Sequence, residues 1–146
     1  MTAPTEALLR VERSVSKEKG PFSLFALLLR EEAPEKWDLV VSASWIEKDK
    51  RSALKLLSEH VRTSLSAADL PIISRIALAD PSDPAVDAIN RAVHVEHSAV
   101  EVKDGMFFGH QIRHAHIFAS TRQAVQTRQS TPGYTARRTR RQKRQP

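Results

Sequence analysis

The sequence predicts a single α/β domain, with an α+β arrangement as the alternative, followed by a basic tail. Apolar residues recur at helical spacing in some segments, and in others they alternate or run together as they do in strands. The predicted order α-β-β-α-β-α-β-β favours a mixed sheet of about five strands covered by helices. Residues 1–121 form the predicted domain, whereas residues 122–146 are too polar to build a core and are predicted to be disordered. The strand order stays open.

The first three elements are predicted to be a helix and an antiparallel hairpin. Residues 5–16 carry apolar side chains at spacings of three and four, which indicates an amphipathic helix. Residues 22–30 form an almost continuous apolar run, which favours a strand buried on both faces, although a helix has the same signature. Residues 38–45 alternate as a second strand. We expect Trp45, at its end, to pack in the core and Trp37 to make an edge contact.

Two further helices and one strand are predicted in the middle of the chain. The longer helix is expected to use Asp49 as its N-cap. Its apolar stripe consists of Leu54, Leu57, Val61 and Leu65. Residues 72–79 then form an apolar strand. Asp83 and Pro84 predict the next helix start, because aspartate caps free backbone amides and proline has no N–H to leave unpaired there.

The last predicted unit is a second hairpin. Its strands are residues 99–103 and 107–120, and Asp104-Gly105 is the predicted turn, because this dipeptide favours tight hairpin loops. Alternate residues of the long strand would share one face of the sheet. These are His110, Ile112, His114, His116 and Phe118.

The net charge of +6 is unevenly distributed. Residues 122–146 hold eight basic residues and no acidic one, so the remaining 121 residues carry a net charge of −2. The densest basic run consists of Arg137, Arg138, Arg140, Arg141, Lys143 and Arg144. Such a run binds phosphate backbones by releasing counterions, which predicts nonspecific contact of the tail with DNA or RNA.

Histidines and carboxylates near the second hairpin suggest an alternative, a divalent-metal site of a hydrolase or nuclease. Two imidazoles separated by one residue on a strand can bind one metal ion, and a neighbouring strand can supply another ligand. The candidate ligands are His110, His114 and His116 with Glu96, His97 or Glu101. A related nuclease hypothesis pairs Glu101 and Lys103 with Asp80 or Asp83. Asp38 is a further possible buried acid, although an aspartate at a strand start is expected to cap local backbone.

Several function classes are excluded by the composition. The chain contains no cysteine, and its four glycines are too far apart for a phosphate-binding loop or a dinucleotide fingerprint. It has no Gly-x-Ser-x-Gly motif, no secretory signal and no apolar run of membrane-spanning length, so a cytoplasmic protein is expected. We therefore predict a small non-catalytic accessory or interaction domain without a cofactor. A third hypothesis is protein assembly through a sheet edge or through Phe107 and Phe108.

Overall fold

A computed structural model describes residues 3–32 and 36–121, and these residues form a mixed α/β fold with one five-stranded sheet. Three helices and five strands follow the predicted order, and one short helix after the second strand is additional. They are α1 (Ala3–Lys19), β1 (Leu24–Arg30), β2 (Trp37–Ser42), α2 (Ser44–Lys48), α3 (Lys50–Ser64), β3 (Ile73–Leu78), α4 (Pro84–Ala92), β4 (Val100–Phe107) and β5 (His110–Ser120). A 3₁₀ turn at Leu70–Ile72 precedes β3.

The strand order is β3-β2-β1-β5-β4, so β1 is the central strand. It pairs antiparallel with β2 and with β5, and β5 pairs antiparallel with β4. Only β2 and β3 are parallel, and the crossover between them contains α3. The central position explains the apolar run of β1, because both of its faces are covered and Leu24–Leu29 are all buried.

Helices cover the two faces of the sheet unequally. Helices α1 and α3 pack on one face, which we call the α1 side. The buried residues of this side include Leu8, Val11, Val15, Phe22, Phe25, Leu27, Leu39, Val41, Leu57, Val61 and Phe118. The short helix α4 packs on the opposite face, the α4 side. Its cluster includes Leu24, Ala26, Leu28, Val40, Val86, Ile89, Ile112, Ala115 and Ile117. Because α4 has nine residues, it leaves part of this face to loops and charged side chains.

Both predicted helix caps are confirmed. Asp49 accepts a hydrogen bond from the Ser52 amide at 3.1 Å, and Asp83 accepts one from the Ala85 amide at 2.8 Å, with Pro84 at the first helical position. The buried stripe of α3 differs from the predicted apolar stripe at one position, because Leu54 is 38% exposed. The buried positions are Ala53, Leu57 and Val61, with Leu65 at the C-cap.

The predicted extension of the second strand to Trp45 is wrong. Strand β2 ends at Ser42, and Trp45 lies in α2. The indole N–H of Trp45 donates to the Gly20 carbonyl at 3.1 Å, and its ring meets Phe22 edge-on at 5.6 Å. A partly buried indole needs a polar partner for its N–H, and the helical conformation supplies one. Trp45 is therefore half-buried at the rim of the core.

The predicted turn at Asp104-Gly105 is also wrong. Both residues lie inside β4, and the hairpin turns at Phe108 and Gly109. The φ angles of Phe108 and Gly109 are 53° and 78°, as a two-residue type I′ turn requires. The later turn lets β4 continue pairing with β5 as far as the pair Phe107–His110. Asp104 keeps a left-handed φ of 51° within the strand.

The prediction that five alternating residues of β5 share one face is wrong as well. The register against β1 shifts between His114 and Ile112, so Arg113 is an extra residue at this point. One extra residue reverses the alternation of side chains. Ile112 therefore packs on the α4 side with Ala115, whereas His114 lies on the α1 side, 6.5 Å from the ring of Trp37. His110 lies beside Ile112, and His116 and Phe118 lie on the side of His114.

Candidate nucleic-acid interface

The six basic residues predicted to bind nucleic acid lie outside the described residues, but the point where their segment leaves the domain is defined. The amide of Thr121 donates to the Ser23 carbonyl at 3.1 Å, and its hydroxyl donates to the Phe22 carbonyl at 2.9 Å. Residue 122 follows directly in the chain. The basic segment 122–146 therefore starts beside the entrance to β1, and we call this point the tail root.

Contacts from three parts of the chain hold the tail root in place. Val95 and Ser120 exchange two backbone hydrogen bonds of 2.8 and 3.0 Å. The side-chain amide of Asn90, on α4, donates to the Ser120 hydroxyl at 3.0 Å and to the Ser23 carbonyl at 2.9 Å. Ser120 is fully buried, so the last residue before Thr121 is well packed in the domain.

A basic recess lies next to the tail root. It is open, has a volume of about 510 Å³, and is lined by Arg13, Ser16, Lys17, Pro21 and His97. Pro21 immediately precedes Phe22, which accepts the Thr121 hydrogen bond, so the recess and the tail root are neighbours. Two permanent cations and one imidazole face this recess without an exposed carboxylate among its lining residues. A polyanion reaching the tail root therefore meets positive charge on the folded domain.

A buried carboxylate positions His97 at this recess. Nδ1 of His97 lies 3.0 and 3.1 Å from the two carboxylate oxygens of Glu12, whose side chain is 1% exposed. Burial raises the pKa of Glu12, and the hydrogen bond and charge of His97 offset part of that rise. Arg13 donates to the His97 carbonyl at 2.9 and 3.2 Å, and His97 has a φ of 51°. These contacts fix the position of the His97 ring at the recess.

Among the metal-ligand candidates, Glu101, His114 and His116 lie near one another. Nδ1 of His114 lies 2.8 Å from the Glu101 carboxylate, and this hydrogen bond lowers the pKa of Glu101. Glu101 is the register partner of His116, whose ring is 5.4 Å from that of Trp37. Burial lowers the pKa of His116, an effect that the charge of Glu101 partly reverses.

The other candidate ligands bind separate partners. His110 lies 3.0 Å from Glu32, and Glu96 lies 2.8 Å from His94. Within residues 3–32 and 36–121, no three histidine or acidic side chains come together in a way that could hold a metal ion. The metal-site hypothesis stays a prediction.

The carboxylates of the related nuclease hypothesis also have local partners. Asp80 accepts hydrogen bonds from the amide and hydroxyl of Ser82 at 2.8 and 2.7 Å, and Asp83 caps α4. Both hydrogen bonds from Ser82 lower the pKa of Asp80. The described contacts thus assign these two aspartates to a turn and a helix start.

The sheet edges of the assembly hypothesis are β3 and β4. On β4, Val100 is 39% and Met106 67% exposed. Phe107 and Phe108 are only partly exposed, because they pack against the α4-side cluster. Edge pairing through β4 stays a prediction, and Lys103 together with the left-handed Asp104 are features that discourage it.

Sequence reasoning missed a charged cluster on the α4 side. Among the described residues, arginines on the two neighbouring strands contact the Asp38 carboxylate. Its side chain, 6% exposed, lies 3.1 Å from Arg30 Nε on β1 and 3.4 Å from Arg75 Nε on β3. The three residues sit on adjacent strands, and their proximity depends on the strand order, so no local sequence signal could have revealed it.

Comparison of the chain with protein-family models, curated proteins and solved structures finds no match. No helix in the described part of the chain has the length and apolarity to cross a bilayer.

Proposed function

We propose that this protein is a non-catalytic accessory domain that binds DNA or RNA nonspecifically through residues 122–146. The observation that supports the proposal is the position of the tail root. Thr121 is anchored to Phe22, beside a recess that presents Arg13 and Lys17. A nucleic acid held by residues 122–146 would therefore also meet Arg13 and Lys17, on a domain whose first 121 residues have a net charge of −2.

The charge distribution explains why binding needs the basic tail. An acidic body repels phosphates, and the tail must offset this repulsion by counterion release. If six tail cations each neutralise one phosphate of duplex DNA, the logarithm of affinity falls with the logarithm of salt concentration with a slope of about −5. Each recess cation that contacts a phosphate steepens this slope by roughly 0.9.

A binding assay with charge-neutral variants tests the proposal. Fluorescence anisotropy would follow a labelled duplex and a labelled single-stranded RNA at several salt concentrations. Replacing the six arginine and lysine residues of 137–144 by glutamine should abolish most binding while keeping chain length. Lys17→Gln should flatten the salt slope by about one. Lys48→Gln, on α2 and outside the recess, is the matched control and should leave the slope unchanged.

Two results would contradict the proposal. If the charge-neutral tail variant binds as tightly as the native chain, the tail is not the binding element. If Lys17→Gln and Lys48→Gln change the salt slope equally, Lys17 acts only through the net charge of the domain and not through a contact in the recess. Circular dichroism of each variant would confirm that the domain is folded.

A further inference from the structure

The basic recess beside the tail root is built mainly on one face of α1. Arg13, Ser16 and Lys17 are three and four residues apart, so their side chains lie on the same side of the helix. Pro21, which precedes β1, and His97, between α4 and β4, complete the lining. The recess therefore gathers two permanent cations, one hydroxyl and one imidazole from three separate segments of the chain.

Both permanent cations keep N–H donors that no carboxylate of the described residues occupies. Arg13 directs Nε and Nη2 at the His97 carbonyl, at 3.2 and 2.9 Å, which leaves part of its five N–H groups available. Lys17 makes no ion pair with another residue in the described part of the chain, and an ammonium group has three N–H donors. The recess can therefore direct several charge-assisted hydrogen bonds at a single anionic group.

The net charge of the recess stays positive when its nearest acid is counted. Glu12 is buried, contacts His97 at 3.0 Å and interacts electrostatically with Arg13. We count Glu12 as fully charged, against the two permanent cations and His97. The net charge is then +1 when His97 is neutral and +2 when His97 is protonated.

The remaining charges of the domain favour the end of a strand at this position. Glu96 contacts His94 at 2.8 Å, Glu18 lies 4.0 Å from His60, and neither acid lines the recess. Without the two recess cations, the first 121 residues contain 13 basic and 17 acidic residues. A strand held by the tail therefore meets two cations and then a net acidic domain, which repels further phosphates. The recess is thus better placed for the terminus of a strand than for its interior.

We propose that the recess binds a phosphate monoester, and that in a nucleic acid this group is the terminal phosphate of a strand. A monoester carries a charge of about −1.5 to −2 at pH 7 and has three acceptor oxygens. A phosphate inside a strand carries one negative charge and has fewer free oxygens. The monoester therefore matches the recess charge better and uses more of the donors of Arg13 and Lys17. The nucleic-acid part of this proposal rests on the function proposed above, whereas the monoester site does not.

Adenosine 5′-monophosphate is the small probe, and adenosine is its uncharged counterpart. Nuclear magnetic resonance titration of the ¹⁵N-labelled full chain would follow the amides of Ser16, Lys17 and His97. We expect saturable shifts with the monophosphate, with a dissociation constant of about 1 mM, and none with adenosine at the same concentrations. The charge-neutral tail variant should show the same shifts, because the monoester binds the recess and not the tail.

Short single strands of one sequence test recognition of the terminus. Fluorescence anisotropy would compare a strand with a 5′-phosphate, a strand with a 3′-phosphate and a strand with hydroxyls at both ends. The native chain should bind one or both phosphorylated strands about fivefold more tightly than the hydroxyl-ended strand. A hydroxyl-ended strand about two nucleotides longer carries the same added charge, so it is the control for general attraction and should gain less.

Two pairs of variants place the terminal phosphate in the recess. Lys17→Gln should abolish most of the preference for a phosphorylated end, whereas Lys48→Gln, on α2 and outside the recess, should keep it. Arg13→Gln should also abolish most of the preference, and Arg51→Gln, on α3, is its matched control. Amide spectra without ligand would show that each variant is folded.

The proposal is overturned if the native chain binds phosphorylated and hydroxyl-ended strands equally, or if the longer hydroxyl-ended strand reproduces the whole gain. It is also overturned if Lys17→Gln keeps the same preference as Lys48→Gln. Binding through the tail would survive these results, because it requires only that the charge-neutral tail variant loses affinity. Conversely, monophosphate shifts at the recess of a chain that binds no nucleic acid would refute the function proposed above and support the monoester site.

Discussion

Replacing Asp38 by asparagine tests how much the charged cluster stabilises the sheet. The substitution keeps the side-chain volume and removes the negative charge between Arg30 and Arg75. Asp38 is 6% exposed, whereas the two arginine side chains are 24% and 58% exposed. The variant therefore leaves two positive charges close together, one of them largely buried.

The expected loss follows from these exposures. Removing one partner of a fully buried ion pair costs about 3–5 kcal/mol. In the variant, water can solvate the guanidinium group of Arg75 almost fully and that of Arg30 in part, which reduces the cost. We therefore expect Asp38→Asn to lower the free energy of unfolding by about 2–3 kcal/mol. For a domain of this size the corresponding fall in the melting temperature is about 10 °C. Arg75→Gln should cost less than about 1 kcal/mol, as for other exposed ion pairs.

Urea denaturation followed by circular dichroism measures both losses, with Arg91→Gln as the control for an exposed arginine–aspartate pair. The free energy of unfolding should decrease with urea concentration with the same slope in every variant, because the surface exposed on unfolding is unchanged. A double-mutant cycle with Arg30→Gln would isolate the coupling between Asp38 and Arg30. A loss below about 1 kcal/mol for Asp38→Asn would refute the view that this carboxylate neutralises a buried charge.

Three further predictions concern the cap, the turn and the buried acid. Asp83→Ala should destabilise the domain by about 1 kcal/mol in urea unfolding, since α4 loses its N-cap, and Asp83→Asn should restore most of the loss. Gly109→Ala should cost about 1 kcal/mol by the same assay, from its φ of 78° alone, because an added Cβ meets no atom within 4 Å. Burial raises the pKa of Glu12, so its protonation stabilises the fold fully below its unfolded-state pKa near 4.5, and this contribution is lost as pH rises through the raised value. The native chain should lose unfolding free energy relative to Glu12→Gln as the pH rises above about 4.5, and parallel pH profiles would contradict this.

Features fixed by neighbouring residues could be predicted from the sequence. The Asp83-Pro84 helix start and the Asp49 cap depend on contacts within three residues, and both were confirmed. The hairpin turn was misplaced because Gly105 and Gly109 both follow residues that take a positive φ, and only the long ladder with β5 selects the later one. The residues around either turn do not indicate how far that ladder extends.

Features that depend on the strand order could not be predicted. The extra residue Arg113 divides the histidines of β5 between two faces, although His110, His114 and His116 are an even number of residues apart. The metal-ligand set was built on that spacing. The contact of Asp38 with Arg30 and Arg75 exists because β2 lies between β1 and β3, an order that stayed open in the sequence.

The anchoring of Thr121 has a mechanical consequence. Any force applied to residues 122–146 would act through Thr121 on the end of β5, which lies between β1 and β4. The ladder hydrogen bonds run perpendicular to the strands, so a pull along β5 loads both of its ladders in shear. Bonds loaded in this way share the force and must break together, whereas a pull on the edge strand β4 across the sheet would open them one at a time. The tail is thus tethered to a part of the domain that resists extension.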